Sequence, residues 1–374
     1  MLRFRRSDRS GARAQLEIIA KLPKGAEVPW LLVGQLEQAL GDDAAADRAL
    51  VRHLEDAPRD LPALLLLGGL RARRGDDRAA GTFYQAALNV AAQPGFNPPA
   101  ALHPMLREAQ TFQIAATKRF QEHLEAAIAD DLPAAGGRIK TALDLLLGRS
   151  ELYLQQPSMF YFPGLPQRPF FEREEFGWLS EVEAAAPIMR RELAALLTDG
   201  DGFAPYVQRS PDRPPPANRL LDDPSWSAQY LWQAGAPAEP AASRCPATMA
   251  TLARAPIPVI ARRSPMALFS VLQPGAHIQP HHGLLNTRLI CHLPLIVPDG
   301  CALRVGAETR AWEEGRALIF DDSFEHEASN RGTSTRVVLL FEIWRPEIGP
   351  DERRALTTIF EAIDTYRGAA VDAG

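Results

Sequence analysis

The residues best suited to chemistry in this chain are its histidines. Eight occur in 374 residues, and five of them, His277, His281, His282, His292 and His326, fall within fifty positions. His281 lies in the stretch QPGAHIQPHHG (273–283), six residues after Gly275, and His326 lies in GRALIFDDSFEHEASN (315–330), four residues before Asn330. Imidazole suits iron, zinc or copper, and spacing alone does not choose between them. Neighbouring side chains on a strand point to opposite faces, so His277 and His282 are expected beside the site or at the surface.

Two cationic side chains add to this. Read as a strand, 287–295 puts Arg288, Ile290 and His292 on one face and Leu289, Cys291, Leu293 and Leu295 on the other. Arg336 heads the face of Val338 and Leu340 in TRVVLLFEIW. If both faces point inward, positive charge enters a small barrel. A buried charge needs a partner, which makes an anionic ligand an economical expectation.

The elements that must position these residues follow from the pattern around them. From about 266 the chain breaks into short β-rich runs, ALFSVLQP, TRLICHLPLIV, ALRVG, ETRAWEEG, RALIFDD and TRVVLLFEIW, parted by Gly, Asn, Asp or Pro turns. Such a series predicts an antiparallel sandwich or barrel of jelly-roll type. A closing helix is predicted from Pro350. Upstream, YLQQPSMFYFPGLPQRPFF reads as an extended connector, a helix is expected over 176–198, and RSPDRPPPANRLLDDPSW is too proline-rich for regular structure.

The first 150 residues are different. Offset by 34 positions, Gly34 meets Gly68, Leu32 meets Leu66, Gly41-Asp42-Asp43 meets Gly75-Asp76-Asp77, and Ala46 meets Ala80. That period is the tetratricopeptide period. Small residues let paired helices approach, and each Gly-Asp-Asp turn ends one helix and caps the next. The expected architecture is therefore α+β and multidomain: tetratricopeptide-like helical repeats over 1–150, then 151–374 with a double-stranded β-helix (jelly roll, cupin-like) core over 266–346.

Composition narrows the functional classes. With 41 basic and 46 acidic side chains mixed along the chain and a formal net charge of -5, no basic stripe offers itself to nucleic acid. Cys245, Cys291 and Cys301 are too few and too scattered for a disulfide framework or a CxxC zinc site, which fits a reducing compartment. The longest apolar run, LPALLLLGGL, falls far short of a bilayer span, so no transmembrane segment and a cytoplasmic location are expected, with Arg3, Arg5 and Arg6 as a short basic arm.

The histidine spacing resembles the two half-motifs of the cupin superfamily. More specifically, HIQPHHGLLNTRLICHL, ETRAWEEGRALIFDDSFEHEASN and STRVVLLFEIWRPEI resemble the catalytic domain of the aspartyl/asparaginyl β-hydroxylase family, the Fe(II)- and 2-oxoglutarate-dependent oxygenases. The resemblance runs from about 220 to 350. It implies that His281 and His326 are the iron ligands and that Gly283 stands where related oxygenases carry a carboxylate ligand. It further implies that Arg336 holds the distal carboxylate of the cosubstrate 2-oxoglutarate with help from Ser270, and that His292 lies near the carboxylate that chelates iron. Arg288 matches a residue at the substrate end. Ile290 stands where the family often has a second arginine, and Arg219 is a candidate to replace it. Asp321 and Asp322 are candidates for orienting the His326 loop.

The implied activity is O2-dependent hydroxylation at the β-carbon of an Asp or Asn residue in a peptide or protein, presented with help from the helical repeats. The alternatives are hydroxylation of a lipid acyl chain or small metabolite, or a repeat scaffold whose barrel only senses 2-oxoglutarate or metal.

Overall fold

The computed structural model describes residues 9–23, 27–200, 202–211 and 214–367. Arg3, Arg5 and Arg6 lie outside them. The described chain divides after Leu143 into two compact units.

The first unit is helical: α1 (Arg9–Ala20), α2 (Trp30–Leu40), α3 (Asp43–Asp56), α4 (Leu61–Arg73), α5 (Asp77–Ala91) and the long α6 (His103–Ile128). Two hairpins, α2/α3 and α4/α5, are built the same way. Gly34 lies against Leu50, where an added Cβ would come within 2.7 Å of the side chain, and Gly68 lies against Tyr84 at the same 2.7 Å. Glycine is required there because the second helix of each pair pushes a large side chain onto the first helix backbone. Gly41 adopts φ +88° and ends α2, and Asp42 and Asp76 accept the Ala45 and Ala79 N–H groups at 2.8 and 3.2 Å. These caps satisfy amide donors that have no carbonyl partner inside the helix.

Among its described residues the second unit contains twelve strands: β1 (Phe170–Phe171), β2 (Ala204–Pro205), β3 (Trp226–Gln233), β4 (Ala236–Pro237), β5 (Ala267–Leu272), β6 (His277–His281), β7 (Arg288–Ile296), β8 (Cys301–Val305), β9 (Glu308–Ala311), β10 (Leu318–Phe320), β11 (His326–Asn330) and β12 (Arg336–Trp344). They form an antiparallel larger sheet in the order β1-β10-β7-β12-β5-β3-β2, with β4 on β3, and a smaller sheet in the order β6-β11-β8-β9. From β5 to β12 successive strands switch sheets at every step except the β8–β9 hairpin, which stays in the smaller sheet, the winding of a double-stranded β-helix.

The two faces of β7 go to two cores. Leu289, Cys291, Leu293 and Leu295 join Phe269, Leu339 and Phe341 against the helices Leu179–Ala184 and Ala186–Asp199. Ile290 faces the other way, with Leu303, Phe320 and Val338, into the space between the sheets. Strand β3 has no counterpart in the sequence expectation. Its residues alternate in polarity from Trp226 to Tyr230 although both faces are covered over Trp226–Gln229, and the run Tyr230-Leu231-Trp232, where the register shifts, breaks the period. The helix expected over 176–198 is instead two, interrupted at Ala185, and the closing helix runs over Pro350–Arg367.

Candidate active site

His281 ends β6 and His326 begins β11, and the two are direct partners in the sheet register. Their ring centroids stand 4.1 Å apart. Each ring is oriented by its own backbone: Nδ1 of His281 lies 2.8 Å from the Gln279 carbonyl, and Nδ1 of His326 lies 3.0 Å from that of Phe324. A carbonyl only accepts, so Nδ1 carries the proton and the Nε2 lone pair is left free on both rings. Burial, and then His281 beside it, lowers the His326 pKa to about 3, and burial also lowers that of His281. Both imidazoles are therefore neutral near pH 7, the form that ligates a metal.

Among the described residues no group of three or more His, Cys, Asp or Glu side chains gathers in a metal-holding cluster. The reason at this site is visible at Gly283. A Cβ there would come within 2.2 Å of Asp322 Oδ2, and the Gly283 N–H donates to the Asp322 carbonyl at 2.7 Å. The Asp322 side chain occupies the volume that a ligand side chain at 283 would need. Its Oδ1 is buried with no hydrogen-bond partner.

These groups open on a cavity of about 410 Å3 between the sheets. Ile278, Ile290, Leu303, Phe320 and Leu340 supply apolar lining, while Ser270, Arg288, His292, Asp322 and Arg336 supply polar groups. Arg336 lies deepest, 1% exposed. Its guanidinium contacts the Ser270 carbonyl and hydroxyl at 3.3 and 3.4 Å and lies over Trp312, 4.9 Å from the ring centre. Among the described residues no carboxylate pairs with it, and its Nε, like His292 Nδ1 and Trp312 Nε1, is buried without a partner. Burial lowers the Arg336 pKa to about 10, which still leaves it charged at neutral pH. An uncompensated buried cation costs several kcal/mol on the order-of-magnitude scale for buried ions, a cost that a bound carboxylate would offset. His292 is held neutral by burial and by the adjacent Arg336 charge.

Arg288 also lines the cavity but is already engaged. It pairs with buried Glu342 and lies 3.5 Å from Asp322, and Ser264 donates to the other Glu342 oxygen. Burial works against its charge, yet these carboxylates raise its pKa overall. Arg219 is exposed and does not line the cavity. The proline-rich loop brings Asn218, not Arg219, to the lining. His277 pairs with Glu327 at 2.7 Å on the outer face of the smaller sheet, while His282 reaches the cavity rim.

Three contributors escaped the sequence reading. Trp226 Nε1 donates to Ser270 Oγ at 3.3 Å and its ring stacks on Tyr206 at 4.3 Å, which holds the hydroxyl toward Arg336. Trp312 was visible in AWEEG, but nothing local shows that a guanidinium lies over it. Glu342 sits amid apolar residues of β12, and that misplaced charge was the available signal.

Residues 183–346 match the family model described as aspartyl/asparaginyl beta-hydroxylase. The aspartyl/asparaginyl beta-hydroxylase of Homo sapiens is 34% identical over 209 residues, 54% of this chain and 26% of that protein. The Mus musculus protein of the same name is 30% identical over 346 residues, covering 86% of this chain and 44% of its own length. Aspartate beta-hydroxylase domain-containing protein 2 of Homo sapiens is 34% identical over 212 residues, 55% of each chain. The chain thus spans between 26% and 55% of the length of these relatives. Residues 183–346 of this chain are similar to the aspartyl/asparaginyl beta-hydroxylase family.

Proposed function

We propose that the chain is an Fe(II)- and 2-oxoglutarate-dependent dioxygenase that hydroxylates the β-carbon of an Asp or Asn residue in a peptide or protein. The observation that carries this reading is the pairing of two neutral imidazoles with free Nε2 atoms and one deeply buried guanidinium without a counter-charge, all lining one cavity. Arg336 would take the distal carboxylate through its fork of N–H donors, a geometry that matches a carboxylate bidentately, with the Ser270 hydroxyl beside it. His292, with an unpartnered Nδ1 in the same wall, would face the other end of the dicarboxylic acid. His281 and His326 would hold the metal through Nε2, leaving its remaining positions to the cosubstrate, O2 and water.

When bound, iron with 2-oxoglutarate and O2 supplies the oxidising equivalent: one oxygen atom enters the C–H bond, the other ends in succinate, and CO2 leaves. The protein positions and shields. The apolar wall of Ile278, Ile290 and Leu340 keeps bulk water from the reacting carbon, and the Arg288–Glu342 pair fixes a polar rim without offering a free cation. The helical unit, read as tetratricopeptide-like, is assigned to recruiting the peptide. No helix among the described residues is long and apolar enough to cross a membrane, and three buried free cysteines accord with the reducing cytoplasm. The test is incubation with Fe(II), 2-oxoglutarate and Asp- or Asn-containing peptides. Succinate and a one-oxygen mass gain on the peptide are expected, both absent in His326→Ala.

A further inference from the structure

The residues that hold the two histidine loops at their spacing are not all in the family-matched segment. The connector residues 155–162, upstream of residue 183, run across both loops. On the His326 side, the Gln156 N–H donates to the Ser323 carbonyl at 2.7 Å. On the His281 side, the Ser158 N–H donates to Gly283 at 2.9 Å, and the Met159 and Phe160 N–H groups share the Leu284 carbonyl at 3.0 Å. Phe162 exchanges hydrogen bonds with the Asn286 side chain at 2.7 and 2.9 Å.

One side chain joins these edges inside the protein. Gln155 is 5% exposed. Its Nε2 donates to Asp321 Oδ2 at 2.8 Å and to the Pro166 carbonyl, and its Oε1 accepts from Asn286 Nδ2 at 3.0 Å. Asp321 is itself paired with fully buried Arg345, which also donates to Pro166, and its other oxygen accepts from the Ser323 N–H. Asn286 lies five residues after His281, and Asp321 five before His326. A single amide therefore ties the loop that follows one histidine to the loop that precedes the other. An amide suits this place because it donates to a carboxylate and accepts from an amide at once; an acid or an alkyl group of the same length does only one of these or neither.

We infer that Gln155 is a positioning residue for the metal site, setting the separation of His281 and His326 through its bonds to Asn286 and Asp321. The inference rests on the reading of the two histidines as metal ligands. Partners that orient ligands change metal affinity by about 10–100-fold when removed. Replacing Gln155 by methionine keeps length and volume and deletes all four side-chain hydrogen bonds, those with Asn286 and Asp321 and those with Pro166 and Gln167.

The experiment is Co(II) titration of the full chain without oxygen, following the visible ligand-field spectrum, for the natural chain, Gln155→Met and the exposed-site control Leu152→Ala. Gln155→Met is expected to bind on the order of 10-fold or more weakly with an altered spectrum, and Leu152→Ala to match the natural chain. A Gln155→Met protein that melts earlier yet keeps the natural affinity and spectrum overturns the inference, because a merely structural role predicts that result. If Gln155→Met does not fold, hydrogen exchange of the natural chain decides. Co(II) should slow the amides of Gln156, Ser158, Met159 and Phe160, and protection confined to the histidine loops overturns the inference. A natural chain that binds no Co(II) removes the metal reading itself, and the inference with it.

Discussion

The helical unit and the β unit bury different things. In α2 to α5 the interior is Leu36, Leu50, Leu64, Leu67, Tyr84 and alanines, and charge stays outside it, as caps on the turns or in partly exposed pairs such as Arg71 with Asp47. In the β unit the fully or nearly fully buried set includes Arg336, Arg345, Asp321, Asp322, Glu342 and Asp364. An apolar interior is enough to stack helices, whereas buried charge is costly and persists where it holds something. Most of these charges are paired: Arg345 with Asp321, Arg263 with Asp364, and Arg288 with Glu342. Arg336 is the exception, and it lies in the cavity that the two free imidazoles share. The contrast separates charge that locks the fold from charge kept open for a ligand.

The largest effect should come from the open charge. Arg336→Gln is expected to weaken 2-oxoglutarate binding by 30-fold or more, about 2 kcal/mol or above for losing one side of a buried charged contact, measured by calorimetry on the Mn(II)-loaded chain. The companion Arg336→Met should make the ligand-free protein more stable, by about 1–4 kcal/mol in denaturant titration, because it removes a buried cation that lacks a partner. A paired charge should behave in the opposite way. Arg345→Met leaves Asp321 buried without its cation and should destabilise by about 3–5 kcal/mol.

In the helical unit the same measurements should respond to shape. Gly68→Ala pushes a methyl into the Tyr84 ring and should cost about 1–3 kcal/mol without changing metal or 2-oxoglutarate affinity. The smallest effect is expected of Asp76→Ala, which removes one cap from α5 at about 1 kcal/mol. A Gly68→Ala protein with altered 2-oxoglutarate binding would break the contrast between the two regions.

Much of this was legible in sequence because it depends on period. The alternation in β7 separated Arg288, Ile290 and His292 from Leu289, Cys291 and Leu293, and the structure sends those sets to the cavity and to the helix-packed core. The meeting of His281 and His326 was legible only through family resemblance, since the 44 intervening residues carry no local trace of it. Two kinds of feature stayed hidden. Strand β3 was missed because its alternation is short, running from Trp226 to Tyr230 before the register shift at Tyr230–Trp232 breaks the period. The engagement of Arg288 by Glu342, and of both histidine loops by Gln155, arises from residues 54 and over 100 positions apart, so no local pattern reports it. The place of Arg219 outside the cavity lining was hidden for the converse reason: a cation in a proline-rich loop signals nothing about which way the loop turns it.

The central claim is that two neutral imidazoles and one lone buried guanidinium together bind a metal-chelating 2-oxo acid. Its most direct measurement is the visible charge-transfer absorption of the Fe(II)-loaded chain on adding 2-oxoglutarate without oxygen. The account predicts a band that saturates in the natural chain, needs far more 2-oxoglutarate in Arg336→Gln, and is absent in His326→Ala. A natural chain without the band, or an Arg336→Gln protein that saturates at the natural concentration, contradicts it.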